Sequence, residues 1–235
     1  MQIHDISFAF VTFVNGTFPY PQIMEVCLMS HRLFSKVPLI LYTHGVDISE
    51  FTECGPNVIH VPIDSAVELP NVFYYKPYVI RDAIQKGLKS GFYIEADDIL
   101  TPAADSVQDY CSRITTMPLS PIHLSPVTVS DEYMRNLGVS EQTQHYVHGH
   151  VLFTASTLPF IEEWFEACMK STGEYWDEAA LNCILWKHGA KDHFMPTIDP
   201  WYVDYPVEGA LLYDGCKNVR HGVQLVDIIH KAMQK

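Results

Sequence analysis

Three carboxylates crowd the end of an apolar run in "SGFYIEADDILTP" (90–102): Phe92, Tyr93 and Ile94 lead straight into Glu95, Asp97 and Asp98. Like charges this close repel, and taking them out of water is costly unless a cation sits among them. A metal ion is the most economical cation. Hard oxygen ligands at the end of a strand suit Mg²⁺ or Mn²⁺, which would bridge a diphosphate to an acidic protein. The competing reading is an acidic turn in which Asp98 caps the following helix.

Other groups of chemical interest are spread along the chain. Lys76 and Arg81 are the basic residues just ahead of the acidic run, and either could touch phosphate or simply sit solvated on a helix face. Asp47 follows the second apolar run, as a base contact or a loop aspartate. His148-Gly149-His150 places two histidines one residue apart. A strand would turn them to opposite faces, which argues against a zinc pair. Asp177-Glu178 opens a helical stretch, where a carboxylate could act as general base or merely favour the helix N-terminus.

The elements that must carry these residues alternate. "ISFAFVTFV" (6–14), "PLILYT" (38–43), "NVIHVPI" (57–63) and "FYIEA" (92–96) read as strands. Residues 20–36 and 75–91 read as helices, the second starting near Pro77 and stopping at Gly87 or Gly91. Thr101-Pro102 would cap a further helix over "PAADSVQDYCSRI". This order predicts an α/β protein with a mainly parallel sheet. Residues 116–146 hold Pro118, Pro121 and Pro126 and no long periodic run. A strand (150–156), helices at 158–171 and 177–189, and a closing helix over "VQLVDIIHKAMQK" complete the chain. No linker or repeat divides it, so one domain over 1–235 is expected, with a nucleotide-binding half (1–115) and an acceptor-side half (116–235).

Composition narrows the partners. A net charge of −13 argues against nucleic acid and anionic membranes, and 48% hydrophobic residues in 235 allow a sizeable core. Six scattered cysteines without a CxxC read as reduced thiols. No apolar run is long enough to span a membrane, and the N-terminus reads as a strand, not a signal peptide. Asn15-Gly16-Thr17 matches a glycosylation sequon, which without a secretory signal is read as chance.

"FYIEADDIL" resembles the strand–DxD signature of GT-A-fold glycosyltransferases of the glycogenin and galactosyltransferase kind. Glu95 stands for the first Asp and Asp97 for the second. "FAFVTFVN" resembles their first strand, "YYKPYVIRDAIQKG" the helix before the DxD strand, "YVHGHVLFTAS" the acceptor-side strand, and "WDEAALNCILWKHG" the DQxxLN or DExxLN helix. The pieces come in the family's order across most of the chain. The resemblance implies a Rossmann-like GT-A fold, a mainly parallel central sheet with helices on both faces. It also implies a metal-dependent enzyme that moves a sugar from a UDP- or GDP-sugar to a hydroxyl acceptor, using Mn²⁺ or Mg²⁺. With no signal read, a cytoplasmic enzyme of bacterial or viral type is expected.

The resemblance also assigns residues. Asp97 would ligate the metal, with Glu95 reaching ribose or a metal-bound water and Ala96 between them. Thr12, Val14 and Asn15 would border base and ribose, ordinary strand packing being the alternative for the first two. Gly149 would allow the backbone close to the donor sugar. Asp177, slightly preferred to Glu178, would take the acceptor proton. His221, expected in a loop before the last helix, would be a late metal ligand, with His193 or His230 as substitutes. Glu95 in place of Asp departs from the pattern and leaves direct ligation there in doubt. A nucleotidyltransferase would want a GxGTR-type loop, which "FVNGTFPYP" lacks, and a DxDxT phosphatase would want acids on the first strand. A non-catalytic nucleotide- or carbohydrate-binding module would keep the fold without needing Asp177 and Glu178.

Overall fold

A computed structural model describes the chain except residues 1, 18, 122–128, 141, 143–146, 148, 171–176, 190–193, 196–208, 214–216 and 235. Pro126, His148, His193 and Cys216 lie outside the described residues. The apolar runs form strands β1 (Ala9–Asn15), β2 (Leu39–His44), β3 (Val58–Pro62) and β4 (Ser90–Tyr93). They alternate with helices α1 (Tyr20–Phe34) and α2 (Tyr75–Gln85). Next come the short strands β5 (Ile99–Leu100) and β6 (Ser120–Pro121), helix α3 (Asp131–Asn136) and strand β7 (Val151–Thr154). Helices α4 (Leu158–Met169) and α5 (Asp177–Lys187), short strands β8 (Phe194–Met195) and β9 (Leu212–Tyr213), and helix α6 (Val219–Met233) follow.

The central sheet runs β3-β2-β1-β4-β7. Its first three pairings are parallel and β4–β7 is antiparallel. Successive side chains of β1 face opposite layers. Val11 and Phe13 join a core with α2, α4 and α5, whereas Phe10 and Val14 join one with α1. Helices therefore cover both faces, and α6 packs outside α1 through Leu225, Val226 and Ile229. This is the expected mainly parallel α/β architecture. No described helix is long and apolar enough to cross a membrane.

Three expectations change. β4 ends at Tyr93, so Glu95, Asp97 and Asp98 lie in the turn beyond the strand. Residues 104–113 form a 3₁₀ helix, not an α-helix. The last helix starts at Val219, because the Asn218 side chain accepts from the His221 amide at 3.1 Å and caps it there. His221 is thereby on the first turn of α6 and not in a loop.

The inner face of α1 carries buried polar anchors. Ser30 Oγ donates to Cys27 O and accepts from Leu100 N, tying β5 to the helix. His31, 1% exposed, sits with Nε2 2.7 Å from Val37 O. Burial pushes the His31 pKa down, against the upward pull of the Val37 contact and of Asp105. The unfolded chain, with a pKa of about 6.5, then binds a proton that the folded chain refuses. Stability should fall as pH drops below that value. His31→Gln should flatten this slope when melting temperatures at pH 7.5 and 5.5 are compared; identical slopes would remove His31 from the acid response.

Candidate functional site

In open α/β sheets ligands collect beyond the carboxyl ends of the strands. A pocket lies there, where β1 and β4 end and α2 begins. Phe13, Tyr20, Val72, Phe73 and Tyr93 give it an apolar and largely aromatic wall. Asn15, Lys76, Glu95, Asp97 and Lys217 supply its polar groups, with Val14 and Ala96 between. Phe13 is held by stacking on Tyr75, ring centres 4.7 Å apart.

Lys76 is the centre of the charge arrangement. Asn71 starts a 3₁₀ turn (Val72–Tyr74) that runs directly into α2, placing Lys76 on the helix's first turn. Its side chain is 3% exposed, and Nζ lies 2.6 Å from Glu95 Oε1 and 2.7 Å from Asp177 Oδ2. Burial alone would lower its pKa; Asp177 and Glu95 outweigh that and hold it well above the ordinary lysine value. A large part of the cation that the acidic turn demands is therefore this lysine.

The partner helix α5 is fixed by buried bonds of its own. Trp164 of α4 donates its ring N–H to Asp177 O at 2.8 Å. Asn182 bonds both Val147 N and Val147 O, at 2.9 and 3.1 Å, so Val147, four residues ahead of β7, lies against α5. Gly149 N then donates to Glu178 Oε1 at 2.9 Å. A Cβ at Gly149 would lie 1.9 Å from Lys76 Nζ, so no side chain fits there while the lysine holds its two acids.

Asp177 is 2% exposed, and burial pushes its pKa up to about 6 while the Lys76 ammonium pulls it down. At neutral pH it is a charged partner of Lys76. Glu178 is less enclosed; burial raises its pKa too, with Lys76 opposing. The committed member of the pair is thus Asp177; Glu178 is the less enclosed carboxylate, and neither is among the residues that line the pocket.

Several expectations need correction. Arg81 is not at the pocket: it lies over the Phe165 ring, 4.4 Å from its centre, because five residues along α2 from Lys76 turn it toward α4. Thr12 is fully buried in β1, its Oγ1 without a partner among the described residues, and does not line the pocket. Asp47 caps a 3₁₀ turn through Ser49 N. Asp98 does not cap the 104–113 helix; its Oδ2 accepts from Glu95 N at 2.7 Å and lies 2.9 Å from His150 Nε2. His221 is not among the pocket residues, and His230 packs on Phe34 of α1. The residue that reaches the pocket from that end is Lys217, just ahead of the Asn218 cap.

Whether a metal fits can be asked of the donors. Asp97, 7% exposed, borders the pocket, and Glu95 shares one oxygen with Lys76. Among the described residues no three His, Cys, Asp or Glu side chains converge on one point. These two carboxylates fit a hard cation that draws its other ligands from phosphate and water, as Mg²⁺ commonly does.

No known family profile matches the sequence, and no curated protein matches it. Solved structures do. The chain is similar to the galactosyltransferase LgtC in complex with donor and acceptor sugar analogues, at TM-score 0.60 and 11% identity, covering 93% of this chain and 95% of that one. An active-site Gln→Glu mutant of LgtC gives TM-score 0.60 at 12% identity over the same shares. The bifunctional glycosyltransferase WbbM gives TM-score 0.59 at 12% identity, over 86% of this chain but 40% of its own. The fold is the GT-A fold.

Proposed function

We propose that this chain, folded as these glycosyltransferases are, transfers a sugar from a nucleoside-diphosphate sugar to a hydroxyl acceptor. The observation that carries the reading is the Lys76 bridge. It ties the acidic turn of the pocket to the first turn of α5, bringing a diphosphate-type site and a candidate base to one place. The aromatic wall with Asn15 and Val14 suits a base and ribose. Lys217 suits a phosphate. Asp97, with the remaining capacity of Glu95, would hold Mg²⁺ or Mn²⁺, which when bound neutralises the departing diphosphate. Glu178 would take the acceptor proton, while Asp177 and Lys76 hold the helix start and the turn in register.

The test is release of nucleoside diphosphate from a panel of UDP- and GDP-sugars, with and without Mn²⁺, beside a thermal-shift measurement. One donor should both raise the melting temperature and be turned over. Binding without turnover across acceptors would mark a non-catalytic binding module. Neither binding nor release with any donor would sink the proposal.

Asp97→Asn provides a second check. It should abolish metal-dependent binding of the nucleoside diphosphate by calorimetry. The metal-free variant should melt no lower than wild type, because one of several crowded carboxylates has lost its charge. Wild-type affinity for nucleotide with Mn²⁺ would remove Asp97 from the metal site.

A further inference from the structure

Asp98 and His150 are both buried, at 0% and 3% exposure, and the proposed reaction uses neither. Yet their contact completes a circuit. Glu95 Oε1 holds Lys76, Lys76 holds Asp177, and the next residue, Glu178, accepts from Gly149 N. The residue after Gly149 is His150, whose Nε2 meets Asp98 Oδ2, and that same oxygen accepts the Glu95 amide. The path returns to Glu95 having crossed α2, α5, the entry to β7 and the acidic turn.

We propose that Asp98 and His150 are positioning residues: a buried strut that fixes the acidic turn against the β7 entry and couples the Asp97 side of the pocket to the Glu178 helix. Three features support this. One carboxylate oxygen serves both the turn's own amide and a ring from a distant strand, so the turn cannot rotate without breaking the second bond. His150 is itself fixed, packed on Phe92 with ring centres 6.2 Å apart. Lastly, Gly149 leaves little slack, since its amide is bonded to Glu178 and the space a Cβ would take is filled by Lys76 Nζ. A shift at either end is thus passed to the other through bonded or directly hydrogen-bonded atoms. The strut's effect on turnover rests on the glycosyl-transfer reading; the coupling itself does not.

The test therefore has two arms. Hydrogen exchange of Asp98→Ala should quicken amides both at 94–98 and at 177–183, by about 2- to 30-fold, the span of typical coupling effects, with β1 and β2 unchanged. His150→Leu, which keeps an apolar group against Phe92, should do the same, and serves if Asp98→Ala does not fold. Asp98→Asn, which preserves an acceptor for both bonds, should restore slow exchange in both segments. In the second arm, kcat should fall in Asp98→Ala and His150→Leu and recover in Asp98→Asn. Faster exchange confined to 94–98, or unchanged in both segments, overturns the coupling whatever the enzyme assay shows. Slow exchange restored by Asn, in a protein that turns over no donor, would uphold the strut and count against the proposed reaction alone.

Discussion

Lys76→Met should lower stability by about 3–5 kcal/mol, the usual cost of removing one partner from a buried ion pair. For a chain of this size that is a drop in melting temperature on the order of 10 °C. Methionine keeps most of the stem's volume, so the loss is chiefly electrostatic: Glu95 and Asp177 would face each other without a cation, with Glu178 close behind. The pH dependence gives the sign. Asp177 already titrates at about 6 with the ammonium present, because burial disfavours its charged form. Without Lys76 its folded pKa climbs further above the unfolded value of about 3.9. A carboxylate with a raised folded pKa weakens the fold in full above that pKa, and the penalty fades as pH falls from there toward the unfolded value. The deficit of Lys76→Met should therefore be large at pH 7.5 and shrink toward pH 5, read by urea unfolding at both. An equal deficit at the two pH values would mean that the stem's packing, not the charge, was lost. Lys76→Arg should not restore the site, since the backbone of Gly149 leaves no room for the wider guanidinium.

Glu178→Gln should leave the fold intact and lower turnover by about 10²–10⁴-fold. The amide oxygen can still accept from Gly149 N, so the start of α5 stays in place and donor KM should hardly move. Asp177→Asn should behave differently, because it weakens the grip on Lys76 and so costs stability and donor affinity together. Steady-state kinetics beside unfolding curves separate the two. Wild-type turnover in Glu178→Gln would take this helix out of the proton transfer.

The longer strands and the starts of α1, α4 and α5 were legible because their physics is local. The apolar runs of β1 and β2 are buried almost throughout, and such runs read as covered parallel strands. The direction of β7 was not legible, since "VLFT" packs equally well either way up. The 104–113 segment shows only Ala104 and Val107 buried, three residues apart. That narrow stripe is what a 3₁₀ helix presents, and the wider α-helical stripe is missing. His221 was misplaced because the closing helix was read from Val223; Asn218 caps it so that it starts four residues earlier, at Val219, and Gly222 is buried within it. The charges at Glu95, Asp97 and Lys76 were visible, but the burial of Lys76 was not. It depends on Asp177, which only the fold brings near.

The circuit through Asp98 and His150 also bears on how the molecule comes together. These two residues are 52 positions apart, and Gly149 and Glu178 are 29 apart, whereas a helical turn closes over four. Contacts of such long span cost loop entropy before they return any stabilisation, and so do the sheet pairings beside them, Ala9 with Gly91 and Ser90 with Thr154. Circuit and sheet therefore draw on the same chain closures, and ligand binding and the far-UV signal should fall together in urea; binding lost first would place the circuit outside the cooperative unit.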